Sequence, residues 1–181
     1  MERVRDTASK RQFEGFAAGA ADALFRTGYL MTGDPRDAGD LVQDTFLAWA
    51  AKGHQLRDTS KVKPWLFTTL HRRFLELQRR GTRFAQVEME EAAAELPDVD
   101  AELVDRMDAQ TVVQTLERVD PQFQAAVALF YLEDYSYNDI AMILDVPLGT
   151  VKSRIARGLT QLRVLMSKRS AKPLLPRKEP K

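Results

Sequence analysis

Apolar residues recur along this chain at intervals of three and four positions, which is the spacing of helices that bury one face. No segment shows a convincing two-residue alternation, so the pattern predicts an all-α fold. In the N-terminal half the predicted buried faces are Phe13, Phe16, Ala20 and Leu24 on a first helix, Ala38, Leu41, Val42, Thr45 and Trp49 on a second, and Leu66, Leu70, Phe74 and Leu77 on a third. Gly33 ends the first helix, and Asp34 caps the second with Pro35 at its first position. Pro64 opens the third helix, which ends in the basic run 79–83.

The C-terminal half contains the pattern of a helix-turn-helix. Helices over 103–119 and 121–132 are followed by a short helix capped by Ser136 and, after a break at 145–147, by a last helix that begins near Leu148. The inner face of the short helix is Ile140, Ala141 and Leu144. Two such helices joined by a three-residue turn place the second helix in the major groove of DNA.

The last helix separates an apolar stripe from a polar face. The stripe is Val151, Ile155, Leu159 and Leu162, which fall within about 80° of one another at about 100° per residue. The opposite side carries Thr150, Ser153 and Arg157. These three suit base edges, because Arg bonds guanine bidentately and hydroxyls bond either bases or phosphates. Lys152 and Arg154 lie on the flanks, where long cations reach phosphates.

Charge is unevenly distributed, although the net charge is only +1. Residues 88–110 carry nine acidic side chains against one Arg, whereas residues 146–181 carry ten basic side chains against one Glu. This asymmetry indicates a basic module that meets a polyanion, joined to the rest by an acidic segment. For an isolated helix, a solvated basic face is the alternative reading, but the turn and the preceding short helix favour DNA binding.

Composition excludes several classes of protein. The chain has no Cys and only two His, which disfavours disulfide scaffolds, thiolate zinc sites and transition-metal enzymes. There is no phosphate-cradling Gly loop and no nucleophile–base pair, so we expect no enzyme, no cofactor and no metal. The N-terminus offers no apolar signal-peptide core, and the longest apolar stretch, 125–132, is too short for a bilayer. We therefore expect a soluble, cytoplasmic protein.

Two motifs in these segments carry a family resemblance. The segment from Tyr131 to Arg163, above all Gly149-Thr-Val-Lys-Ser-Arg154, resembles region 4 of the extracytoplasmic-function (group IV) sigma factors of the sigma-70 family. The N-terminal half resembles region 2 of that family. There Asp37-Ala-Gly-Asp-Leu-Val-Gln-Asp-Thr-Phe-Leu-Ala-Trp49 resembles the helix that binds core RNA polymerase, and the segment from Pro64 to Arg80 resembles the helix for the promoter minus-10 element.

The resemblance implies a binding subunit that attaches to core RNA polymerase, directs it to promoters and helps to open the DNA. Its implied partners are the β′ and β subunits of the polymerase, promoter DNA and an anti-sigma factor. The implied core-polymerase contacts are Asp40, Gln43, Asp44 and Trp49. The first three share one side of a helix and suit basic groups on β′, with a solvated helix face as the alternative.

The resemblance assigns DNA contacts to both halves. The implied minus-10 contacts are Lys61, Lys63, Trp65, His71, Arg72, Arg73, Arg79 and Arg80, and the implied minus-35 contacts are Thr150, Lys152, Ser153, Arg154 and Arg157. A basic surface beside Trp65 and Phe67 suits unstacked bases, although core packing explains Trp65 equally well. Many relatives have Asn at the position of Arg72, which leaves the minus-10 sequence open.

The predicted organisation is two small helical domains and two connecting or terminal segments. Residues 10–83 form sigma region 2, residues 84–104 an acidic linker, residues 105–168 sigma region 4, and residues 169–181 a disordered basic tail. The linker either enters the polymerase cleft, as the resemblance implies, or serves as a solvated tether.

Two other functions remain as alternatives. A sigma-like adaptor or decoy would bind an anti-sigma factor, but Lys152, Arg154 and Arg157 argue against it because it needs no basic recognition face. A lone helix-turn-helix regulator would explain the C-terminal half and leave residues 37–83 without a role.

Overall fold

The computed structural model describes residues 19–80 and 109–170, and every regular element within these ranges is a helix. The helices are α1 (19–32), α2 (Pro35–Lys52), α3 (Val62–Arg80), α4 (Ala109–Leu116), α5 (Pro121–Tyr131), α6 (Tyr137–Leu144) and α7 (Leu148–Ser170). Two 3-10 turns, Gly53–Gln55 and Thr59–Lys61, connect α2 to α3. The all-α prediction is confirmed. The predicted linker, Phe13, Phe16 and residues 171–181 lie outside the described residues.

The junction of α1 and α2 follows the predicted chemistry. Gly33 ends α1 at a φ of 70°. The Asp34 carboxylate then accepts the backbone N–H groups of Arg36 and Asp37 at 2.7 and 3.2 Å, and Pro35 occupies the first turn. Two of the donors that a helix start leaves unpaired are therefore satisfied. The predicted boundary is confirmed.

The start and the end of α3 differ from the prediction. The helix begins at Val62, two residues before Pro64, because a 3-10 turn capped by Asp58 leads directly into it. Pro64 is tolerated there since the first N–H groups of a helix have no partner within it. The predicted inner face also ends early, because residues 76–80 are exposed and Leu77 is 42% exposed.

The second domain packs α5 and α6 against α7. Val151, Ile155, Leu159 and Leu162 are each at most 4% exposed, so the predicted stripe is confirmed. Gly158 allows close approach of the helices, since a Cβ there would lie 2.5 Å from Val127 Cγ2. The short helix α6 starts where predicted, with the Ser136 hydroxyl accepting the Asp139 N–H at 3.2 Å. The turn from α6 to α7 begins at Asp145 in the left-handed region, at a φ of 53°.

The two domains contact each other along α3, which packs against α6 as well as α2. Phe67 is 1% exposed and contacts the Tyr135 ring edge-on, with the centroids 5.6 Å apart. The prediction that Phe67, beside the cationic side chains of α3, helps to hold unstacked bases is therefore wrong, because its ring is buried. The apolar side of α3 is broader than its sequence pattern suggests, because a second domain covers part of it.

Candidate nucleic-acid interface

The polar side chains of α7 differ in how far they reach solvent. Thr150, Lys152, Arg154 and Arg157 are half-buried. Ser153 is 4% exposed, and its hydroxyl donates to the Thr150 carbonyl at 3.0 Å. One helix thus brings together the five residues expected at the minus-35 element, and in this arrangement of the chain Ser153 does not face solvent.

The cationic side chains of α3 fall into two groups. Lys61, Arg72, Arg79 and Arg80 are exposed. Lys63, His71 and Arg73 are half-buried, and Arg73 pairs with Glu76 through Nη1 and Oε2 at 2.8 Å. The exposed group provides positive charge before the helix at Lys61, at its middle at Arg72 and at its C-terminal end at Arg79 and Arg80. Lys63 and His71 instead face the second domain.

Trp65 forms part of a tryptophan pair that joins α3 to α2. Its ring meets Trp49 edge-on, with centroids 5.3 Å apart and planes at 68°. The Trp49 indole in turn covers Gly53, where a Cβ would approach within 2.5 Å of the ring. Both Trp side chains remain half-buried, so the pair packs at the edge of the core and keeps part of each ring accessible.

The outer face of α2 is open to solvent. Asp40, Gln43 and Asp44 are all exposed, as expected of a docking surface. Leu47 is 60% exposed beside them, four residues after Gln43 and three after Asp44, which places it on the same face. Leu47 is not among the predicted contact residues, although an apolar residue on the polar side of an amphipathic helix is a signal that the sequence shows.

Glu133 is a second residue that the sequence analysis missed. It lies in the turn between α5 and α6, and its side chain is only 4% exposed. Its carboxylate pairs with Arg26 Nη2 and Lys63 Nζ, each at 3.1 Å. Both cations belong to the first domain. Nothing local in the sequence distinguishes this Glu from a solvated turn residue.

His71 lies in the same contact between domains. The pKa of its imidazole is lowered to about 4, chiefly by burial and in addition by the positive charge of Arg154, whereas Asp145 opposes the shift. Its Nδ1 is buried without a hydrogen-bond partner. Burial likewise raises the pKa of the Tyr135 phenol, with Glu133 and Asp139 adding to the effect.

Residues 19–80 and 109–170 contain no cluster of three or more His, Asp or Glu side chains that would hold a metal ion. No helix in these ranges combines the length and the apolar run that crossing a membrane requires.

Comparison with known proteins matches both domains. Residues 20–84 match the family model of Sigma-70 region 2, and residues 109–162 match that of Sigma-70, region 4. The chain is 32% identical over 175 residues to the ECF RNA polymerase sigma factor SigE of Mycolicibacterium smegmatis, covering 94% of this chain and 68% of that protein. It is 25% identical to the ECF RNA polymerase sigma factor SigW of Bacillus subtilis, covering 78% and 82%.

A solved structure resembles the fold as well. The sigma factor RpoE from Bartonella quintana, crystallised in complex with the anti-sigma factor NepR, matches with a TM-score of 0.64 and 27% identity. The match covers 87% of this chain and 98% of that chain.

Proposed function

The chain belongs to the extracytoplasmic-function sigma factors of RNA polymerase, in the sigma-70 family, and we propose which of its surfaces carry out the steps of promoter recognition. As a sigma factor it binds core RNA polymerase and directs it to promoter DNA. The observation that carries this conclusion is the occurrence of region 2 and region 4, in that order, on two separate helical domains. In this function the protein is a binding subunit, and the polymerase carries out the chemistry.

Core polymerase binds to the outer face of α2 in this proposal. Asp40, Gln43 and Asp44 accept hydrogen bonds from basic groups of the β′ subunit, and the exposed Leu47 adds apolar contact area. Trp49 stands at the edge of this face, where its contact with Trp65 links the polymerase surface to the DNA-binding helix.

The minus-10 element binds to α3 and the turn before it. Lys61, Arg72, Arg79 and Arg80 are the exposed cations that attract the DNA backbone. The accessible part of Trp65 offers a stacking surface for an unstacked base. Lys63, His71 and Arg73 complete the proposed set.

The minus-35 element binds to the first turns of α7, which is the second helix of the helix-turn-helix. Arg157 and Thr150 read base edges, whereas Lys152 and Arg154 position the helix on phosphates. Ser153 belongs to the same set. Recognition by a lone basic helix, without dimer symmetry, suits a protein whose second DNA contact lies in another domain.

Two further assignments follow from relatedness. An anti-sigma factor is the proposed regulatory partner, because the structurally similar RpoE was crystallised with one. The proposed compartment is the cytoplasm, where the polymerase and the promoter are found.

Co-elution with core RNA polymerase tests the proposed function. We expect the wild-type protein to co-elute, and a Gln43→Ala/Asp44→Ala variant to bind at least about tenfold more weakly, since both side chains belong to the proposed contact. The matched control is Asp22→Ala/Gln114→Ala, which removes the same side-chain types from exposed positions on α1 and α4. Failure of the folded wild-type protein to bind the polymerase would overturn the proposal.

A further inference from the structure

One side of α3 carries the Trp65 ring between two exposed cations. Lys61, in the turn before the helix, and Arg72 precede and follow Trp65 by four and seven positions, which places both within about 40° of it around the helix axis. Lys63 and Phe67, which contact the second domain, lie about 160° away, on the opposite side. The second domain therefore leaves the side with Lys61, Trp65 and Arg72, here called the Trp65 strip, accessible.

The Trp65 ring is held at a fixed angle by Trp49 of α2. The two rings meet edge-on, with centroids 5.3 Å apart and planes at 68°, which is an arrangement that aromatic pairs favour. A half-buried side chain without such a contact has several staggered rotamers available. The contact with Trp49 therefore determines the orientation in which the accessible face of Trp65 is presented.

Trp49 in turn lies directly on the backbone of Gly53. A Cβ at this position would be 2.5 Å from Cε2 and 2.6 Å from Cδ2 of the indole. Gly53 has a φ of −59°, which any residue adopts, so a Gly is needed here for space and not for its conformation. Its N–H donates to the Trp49 carbonyl, and its carbonyl accepts from the Leu56 N–H at 3.0 Å. Because hydrogen bonds hold this backbone on both sides, a side chain at position 53 has to displace the Trp49 ring.

The two kinds of contact that the Trp65 strip offers to DNA differ in how strictly they depend on orientation. Single-stranded DNA binds where cations attract the phosphates and aromatic rings stack on the bases. Stacking requires a nearly parallel base and ring, so rotation of Trp65 weakens it. Lys61 and Arg72 reach phosphates through long side chains that adjust to small displacements. Loss of the Trp49 contact should therefore weaken base binding and spare phosphate binding.

We propose that Trp49 and Gly53 are positioning residues for promoter opening, which fix the Trp65 ring in the orientation that stacks an unpaired base of the minus-10 element. This role rests on the proposed function, which assigns base stacking to Trp65. Trp49 then acts on DNA through Trp65 and without touching it. Gly53 acts one step further back, by leaving room for the Trp49 indole.

Binding of the full chain to two single-stranded oligomers tests this role. One is a thymidine oligomer, and the other is a sugar-phosphate oligomer of the same length without bases, each with the same terminal fluorophore. The ratio of the two Kd values, here called the base preference, separates stacking from attraction to phosphates. We expect Trp65→Ala to reduce the base preference about tenfold. Arg72→Ala should weaken both oligomers equally, because a phosphate contact does not involve the base.

Gly53→Ala is the most informative variant, because it keeps both Trp rings in the chain. We expect it to reduce the base preference about fivefold, with little change in the Kd of the oligomer without bases. The matched control is Gly39→Ala, also on α2, where a Cβ would meet nothing within 4 Å, and it should match the parent. A general loss of folding would weaken both oligomers together and leave the ratio unchanged.

Combined variants show whether the effect passes through the Trp pair. Gly53→Ala should have no further effect on the base preference in a Trp49→Ala background, because the ring that it displaces is absent. Trp49→Ala should likewise have no further effect in a Trp65→Ala background. Trp49→Phe keeps a ring beside Trp65 and should retain most of the base preference, so it completes the test with Trp49→Ala if Gly53→Ala fails to fold.

The conformation of the pair has a direct spectroscopic signal. Trp49 and Trp65 are the two tryptophans of the chain, so the tryptophan band of the near-ultraviolet circular dichroism spectrum reports on this pair. We expect the band to change in Gly53→Ala and to stay the same in Gly39→Ala.

The positioning role and the proposed function fail in different ways. If Trp65→Ala loses the base preference while Trp49→Ala and Gly53→Ala keep it, the positioning role is overturned and the stacking surface remains. If the parent shows no base preference, or Trp65→Ala keeps it, the proposed stacking surface is contradicted and the positioning role with it.

Discussion

The polymerase-facing helix and the DNA-facing helices of this sigma factor differ in what the rest of the chain does to them. On α2, the side chains of Asp40, Gln43, Asp44 and Leu47 are exposed. On α3 and α7, Lys63, His71 and Ser153 are half-buried or buried. Polar residues that the sequence assigns to binding surfaces with equal support therefore differ in how far a partner can reach them. We expect this difference to set the order of binding, because the exposed surface on α2 can bind polymerase before the surfaces on α3 and α7 bind DNA.

The largest effect is expected when Glu133 loses both of its partners. In Arg26→Ala/Lys63→Ala the carboxylate remains buried without a counter-charge, which costs the contact between the two domains about 3–5 kcal/mol. Spin labels at Lys52→Cys and Thr160→Cys, two exposed positions on α2 and α7 of a chain without Cys, report the distance between the domains. We expect the short distance of the closed form, in which the domains are in contact, to give way to the longer distance of an open form.

The control Arg36→Ala/Lys61→Ala removes one Arg and one Lys from exposed positions, so its distances should stay short. A short distance in both double variants would mean that apolar packing alone closes the molecule.

Acid pH provides the second test of the same contact. Burial, with a further contribution from the positive charge of Arg154, lowers the pKa of His71 to about 4 from an ordinary value of 6.5. Above pH 6.5 both the open and the closed forms hold His71 neutral, so it does not affect their balance. As the pH falls from 6.5 towards 4, the open form binds a proton and the closed form does not. The closed form should therefore lose up to about 3 kcal/mol across this window.

The label distances measured between pH 7.5 and pH 4.5 check this expectation. Arg154 and Asp145 flank His71, and carboxylates elsewhere also titrate near the lower limit, so the difference from His71→Gln isolates the imidazole. His54→Gln, at an exposed position, is the control. If His71→Gln opens with the same pH profile as the parent, the imidazole does not carry the effect.

A third prediction concerns base reading by α7 once the domains are apart. In the Arg26→Ala/Lys63→Ala background, Arg157→Ala should cost about 1–3 kcal/mol at the cognate minus-35 element and relax one base position. Lys152→Ala should weaken all sequences evenly, because a phosphate contact carries no sequence information. Selection from a randomised duplex pool measures both. Unchanged sequence preference in Arg157→Ala would remove this residue from the set of base contacts.

Local chemistry explains why several features of the fold could be predicted from the sequence. The Asp34 cap and its following Pro act within three residues, and the stripe from Val151 to Leu162 repeats on a single helix. Gln43 and Asp44 are exposed, as their place on the polar side of α2 predicts. Each of these features depends on neighbours in the chain or on the absence of a distant partner.

The contact between domains depends on pairs that no local pattern encodes. Glu133 meets Arg26 across 107 positions and Lys63 across 70 positions. His71 and Phe67 read as surface residues from the pattern of α3 alone, because the residues that cover them belong to the second domain. The start of α3 differs from the prediction for a local reason, because the turn capped by Asp58 leads into the helix at Val62, two residues before Pro64.

The smallest effect is expected at Leu47, the apolar residue on the open face of α2. Partial burial of a Leu side chain in a protein interface contributes about 1–2 kcal/mol, so Leu47→Ser should weaken polymerase binding by roughly five- to thirtyfold. Label distances in the free protein should not change, because the Leu47 side chain is 60% exposed. Leu77→Ser, another partly exposed Leu but on α3, is the control for a general effect of removing surface apolar area. If the two substitutions weaken polymerase binding equally, polymerase does not bind the α2 face selectively. The greater exposure of α2 relative to α3 would then not determine the order in which polymerase and DNA bind.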